Sequence, residues 1–81
     1  MEIKVLGPGC RNCEKLEADS KQAVKESGTD ATVSKVTDMA EIMRYGVLST
    51  PGLVINGKVK SYGRLPSLKE IMAWIEEEQK K

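Results

Sequence analysis

The chain contains no histidine and no phenylalanine, and Tyr45, Tyr62 and Trp74 are its only aromatic residues. Without histidine, every mechanism that relies on an imidazole base, an imidazole metal ligand or a Cys–His pair is excluded. So few aromatics disfavour a base-stacking platform for single-stranded nucleic acid. A charge excess is also missing: thirteen Lys and Arg face twelve Asp and Glu, a net charge of +1. That balance argues against a nucleic-acid surface or an anionic membrane as partner, since either needs a basic excess. Long apolar runs are absent as well. The longest, Gly52–Ile55, is far too short to span a bilayer. Met1-Glu2-Ile3-Lys4 leads straight into a strand-like segment, with no basic n-region and apolar h-region ahead of it, so a cytoplasmic location is expected. At 81 residues one domain, 1–81, is expected. A chain of this size buries roughly 60% of the surface its unfolded form exposes, so its stability is modest. What remains for chemistry is a pair of cysteines in one motif, Cys10-Arg11-Asn12-Cys13.

The pattern along the chain reads β-α-β-α-β-β-α. Glu2–Leu6 alternates, with Ile3 and Val5 on one face and Lys4 and Leu6 on the other, and stops at Gly7-Pro8-Gly9. From Arg11 to about Ser27 helix formers dominate; Cys13, Leu16, Ser20, Ala23 and Val24 form a thin inner face, and Gly28 marks the C-cap. Ala31–Val36 reads as an edge strand. Asp38 and Glu41 have capping-box spacing before a short helix that ends at Gly46, with Met39, Ile42 and Met43 on one face. Asn56-Gly57 signals a hairpin between Gly52–Ile55 and Lys58–Tyr62. Lys58 and Lys60 give the second of these strands the charge of an exposed edge. Gly63 breaks it, and Ser67 with Glu70 opens a last helix whose buried face is Leu68, Ile71, Met72 and Ile75. The first and third strands, least polar, are expected at the centre of the sheet. Met39, Met43 and Met72 read as core filling rather than soft-metal ligands. Tyr45 and Trp74 read as packing residues, Lys4 as a residue on a solvated face, and Glu76-Glu77-Glu78 as a solvated helix end.

A C-x-x-C between a strand and a helix has a definite chemistry. Cys10 falls at the helix N-terminus, where unpaired N–H groups and the helix dipole favour a thiolate, the nucleophilic form of the side chain. Gly9, Arg11 and Asn12 make up its surroundings, and Arg11 adds positive charge. Cys13, one turn on, is placed to attack a mixed disulfide formed at Cys10. As a structural staple the pair is poor, because a four-residue loop removes only about 2 kcal/mol of unfolded-state entropy. Two thiolates could instead hold Cu(I), though zinc normally takes four ligands. A copper-carrier domain of this length has a β-α-β-β-α-β order and ends in a strand, whereas this chain ends in a helix. A redox-controlled binding module is a further alternative.

The C-x-x-C, the Ser49-Thr50-Pro51 turn into a β-hairpin and the closing helix together resemble the thioredoxin superfamily. The likeness runs over essentially the whole chain. It is nearest to the small thioredoxin-like redox-active disulfide proteins of archaea and anaerobic bacteria, in the stretches Ser49–Gly57 and Gly63–Ser67. The resemblance implies a minimal thioredoxin fold, α/β, with a mixed four-stranded sheet and helices on both faces. It implies a dithiol–disulfide oxidoreductase in which Cys10 attacks and Cys13 resolves. Thr50 and Pro51 would form a cis-proline turn facing the substrate, and Gly63 would let a partner approach. The implied partners are disulfide-containing target proteins and a thioredoxin reductase-like flavoprotein, with no cofactor beyond the reversible Cys10–Cys13 disulfide, no metal, and a monomeric state. Trp-Cys-Gly-Pro-Cys is replaced here by Gly9-Cys10-Arg11-Asn12-Cys13. The first strand lacks the family's buried acid, leaving Glu2, Glu14 or water to exchange a proton with Cys13. A glutaredoxin-like activity is similar in form, but its Cys-Pro-Tyr-Cys and Gly-Gly-x-x-Asp patterns are missing.

Overall fold

The computed structural model describes residues 1–80. Its elements are β1 (Glu2–Leu6), α1 (Arg11–Ser27), β2 (Thr32–Val36), α2 (Met39–Arg44), β3 (Gly52–Ile55), β4 (Lys58–Tyr62) and α3 (Leu68–Gln79). The four strands form one sheet in the order β2-β1-β3-β4, with β1 parallel to β2 and the other two pairs antiparallel. The two least polar strands are therefore central, where both faces must be covered by apolar side chains.

The alternation along β1 divides the core. Ile3 and Val5, with Leu53 and Ile55, pack beneath α1 and α3 against Leu16, Ala23, Ile71 and Ile75. Leu6 points the other way and joins Val36, Val54, Ile42 and Val47 under α2. The β3–β4 turn follows from Asn56-Gly57: both residues have positive φ, at 52° and 80°, which a two-residue hairpin of this twist requires. Gly28 closes α1 in the left-handed region, and Ser67 with Glu70 forms a reciprocal capping box at α3. Trp74 and Tyr45 pack against the two core clusters. No helix of the described residues is long and apolar enough to cross a membrane.

Four readings of the sequence change. Met39 and Met43 do not fill the core; they are 51% and 59% exposed. The helix that carries them has six residues, enough to bring one side chain, Ile42, onto the sheet. Asp38 caps that helix through the Ala40 N–H rather than through a box with Glu41. Glu78 is not part of a solvated helix end. Its side chain is buried and takes a hydrogen bond from Lys60 at 2.8 Å, with Lys58 at 3.5 Å. By the same contact Lys60 is drawn inward from the β4 edge, and of the two lysines Lys58 is the one that remains largely exposed. Spacing within α3 could not reveal this, because the cations come from a strand nearly twenty residues earlier in the chain.

Candidate active site

The carboxyl end of β1 delivers the chain to Gly7, whose N–H donates to the Val36 carbonyl at 2.9 Å and so prolongs the β1–β2 ladder by one bond. Pro8 and Gly9 then reverse the chain, Gly9 with a φ of 104° that an L side chain rarely adopts. Cys10 takes an extended conformation as the N-cap of α1. An N-cap side chain normally offers an oxygen to the free N–H groups of the first turn. Here sulfur does so: the Cys13 N–H donates to Cys10 Sγ at 3.1 Å. The two cysteines are joined in a disulfide, with a Cα–Cα separation of 5.0 Å.

The two sulfurs differ in environment. Cys10 is exposed, as are Gly9, Arg11 and Asn12 around it, whereas Cys13 is 3% exposed. The inner sulfur rests against Gly7, and Thr50 borders the same spot: a Cβ built on Gly7 would stand 2.9 Å from the Cys13 Cβ and 3.9 Å from the Thr50 Cβ. Residues about 40 positions apart in the chain thus meet at one point. The Thr50–Pro51 peptide is cis, with Pro51 buried and Thr50 half-buried. Gly63 lies alongside, its N–H donating to the Pro51 carbonyl at 3.0 Å and its φ at 75°. The structure therefore brings Cys10, Cys13, Thr50, Pro51 and Gly63 to one end of the sheet.

Next to Gly63, the Arg64 guanidinium grips both oxygens of Glu70 at 3.1 and 2.8 Å. That grip, with the Ser67 N–H as a second donor, lowers the Glu70 pKa to about 2. Lys4 does not face the disulfide, because it alternates with Ile3 and Val5, which lie on the α1 side. It is held on the α2 side by the Tyr45 hydroxyl at 3.3 Å and Glu2 at 3.4 Å. These two partners, Tyr45 first, raise its pKa. Glu2 is thereby engaged with Lys4, and Glu14 is exposed on α1. Among the described residues no group of three or more Cys, Asp or Glu is placed to hold a metal ion.

Gly7 was legible in the sequence only as part of a turn signal. Its role against sulfur carries no local signature, since a glycine that makes room for a neighbour looks the same as one that bends a chain.

Comparison with known proteins agrees with this geometry. The thioredoxin-domain family model matches residues 1–76. The chain is 42% identical over 71 residues to a thioredoxin of Methanothermobacter thermautotrophicus, covering 88% of this chain and 92% of the relative. It is 39% identical over 69 residues to a thioredoxin of Methanocaldococcus jannaschii, covering 85% and 79% respectively. A C-x-x-C disulfide capping the first helix of this fold, over a match that spans nearly all of the chain, places the protein in the thioredoxin family as a thiol–disulfide oxidoreductase.

Proposed function

We propose that the chain reduces or exchanges disulfides on partner proteins, with Cys10 as the attacking thiol and Cys13 as the resolving one. In the reduced state the Cys10 thiolate attacks one sulfur of a target disulfide. A Cys10–target mixed disulfide forms and one target thiolate leaves. The Cys13 thiolate then attacks the Cys10 sulfur, the second target thiolate leaves, and the Cys10–Cys13 bond closes. Two electrons pass to the target. A thioredoxin reductase-like flavoprotein returns them to the pair, so no bound cofactor is needed.

The observation that carries this assignment is the difference in exposure within one disulfide: a partner's sulfur can reach Cys10, while Cys13 is buried behind it. The unpaired N–H groups at the start of α1 favour negative charge on Cys10, and the exposed Arg11 adds to it, with Gly9 and Asn12 completing the rim. Thr50, Pro51 and Gly63 take the target's backbone, because Thr50 stands beside the inner sulfur and Gly63 is exposed with no side chain to obstruct approach. Glu14 or water exchanges the proton of Cys13, since Glu2 is occupied by Lys4. The protein acts as a single-domain monomer in the cytoplasm.

Reduction of a protein disulfide driven by a small dithiol tests the assignment. Cys10→Ser is expected to abolish turnover. Cys13→Ala is expected to accumulate a covalent complex with the target through Cys10, visible on a non-reducing gel. Wild-type activity in Cys10→Ser would overturn it.

A further inference from the structure

We propose that Gly7 is a positioning residue whose missing side chain is the seat of the Cys13 sulfur, and that this seat sets the balance between disulfide and dithiol. The proposal rests on reading Cys10 and Cys13 as the exchanging pair, and adds a residue outside that pair which controls it.

The backbone at Gly7 does not itself call for glycine. Unlike Gly9, Gly28, Gly46, Gly57 and Gly63, it has no positive φ. What excludes a side chain is sulfur: a Cβ there would fall within the Cys13 Sγ and only 2.9 Å from the Cys13 Cβ. Retreat is blocked on the backbone side, since Gly7 is buried and its N–H is bonded to Val36 at 2.9 Å. Thr50 closes a further side, 3.9 Å from the same point. A methyl group at residue 7 must therefore displace the sulfur, the first turn of α1 or the end of β1.

The two redox states do not bear this equally. In the disulfide the Cys13 sulfur is tethered at both ends, to its own Cβ and to Cys10. In the dithiol it is tethered at one end and can swing about the Cα–Cβ bond to another staggered position. The contact with the Cys13 Cβ burdens both states; the contact with the sulfur burdens the disulfide more. Closing the disulfide against the glutathione couple is balanced as protein dithiol plus glutathione disulfide giving protein disulfide plus two glutathione thiols. Gly7→Ala shifts that equilibrium toward the dithiol. Overpacking of a filled site has a cost equivalent to roughly a tenfold to hundredfold change in an equilibrium constant. At about 30 mV per tenfold, the potential rises by about 30–60 mV.

The test equilibrates wild type and Gly7→Ala with glutathione redox buffers and measures the oxidised fraction. It also compares the stability of Cys13→Ala with and without Gly7→Ala. The expected results are an oxidation constant lowered about tenfold or more, and a Gly7→Ala penalty that shrinks once the residue 13 sulfur is removed, down to the share owed to the Cβ that alanine keeps there. An unchanged constant, with both redox states destabilised alike, overturns the proposal. If Gly7→Ala does not fold, the pair with Cys13→Ala decides: failure of the double variant too means that the backbone and the residue 13 Cβ, and not the sulfur, exclude a side chain at residue 7, which overturns the proposal. A wild-type protein that never equilibrates with glutathione instead refutes the reading of the cysteine pair, a distinguishable outcome.

Discussion

Reduction of Cys10–Cys13 should leave the fold standing. The disulfide closes a loop with a sequence separation of only 3. In the chain-entropy model a loop of this length removes about 2 kcal/mol of freedom from the unfolded state. That is comparable to burying one Leu or Ile side chain, about 1.5–3 kcal/mol. The core contains fourteen buried apolar residues among those described, on both faces of the sheet, and only Cys13 belongs to the disulfide. The helix that the disulfide caps is also held independently by Leu16 and Ala23 in the core and by its Gly28 C-cap. For a domain of this size each kcal/mol moves the melting temperature by roughly 4–8 °C. The reduced protein should therefore melt about 8–16 °C below the oxidised one, in one cooperative transition, when followed by circular dichroism with and without a phosphine reductant. A reduced protein that is unfolded at room temperature, or that melts more than about 25 °C lower, would refute the reasoning. The bond would then be a staple that the fold depends on, and a poor carrier of electrons.

Two further outcomes follow from the ion pairs. Glu70 binds its proton more weakly in the folded state, at a pKa of about 2 against an ordinary 4.5, so its contribution is fully present above pH 4.5 and is lost as the pH falls toward 2. Denaturant melts across that window should show a slope in wild type that flattens in Glu70→Gln; equal slopes in the two proteins would contradict the assignment. Glu78→Gln should lower stability at neutral pH by about 2 kcal/mol, below the usual range for breaking a buried pair because Lys60 keeps Glu77 at 3.4 Å and lies on an edge strand. A urea midpoint shift corresponding to less than about 0.5 kcal/mol would show that the pair contributes as little as an exposed one.

Much of the redox site was legible without coordinates because its elements are local. A strand that stops at glycine and proline, a cysteine at a helix start and a second cysteine one turn later are all set by neighbours in the chain. The hairpin at Asn56-Gly57 and the box at Ser67 and Glu70 were legible for the same reason, since each is a contest among a few adjacent backbone groups. Methionine spacing on α2 misled, because periodicity records which residues share a helix face and not whether anything covers it. Glu78 misled in the opposite direction: three consecutive glutamates read as solvated until β4 presents Lys58 and Lys60 to the last of them.

The absence of histidine and of a charge excess, with only three aromatics, left Cys10 and Cys13 as the chemistry, and the four-residue loop between them made a staple the poor reading. Those conclusions needed only residue types and their spacing. Helical spacing already put Cys13 on the inner face of its helix; the extent of its burial was decided by the fold. Cys10 is exposed and Cys13 is 3% exposed because α1 lies on the sheet with Cys13 facing inward. The seat on which the inner sulfur rests is a tertiary fact as well. Gly7, Cys13 and Thr50 converge only once β3 has paired antiparallel with β1, and no property of the three residues taken singly foretells that contact.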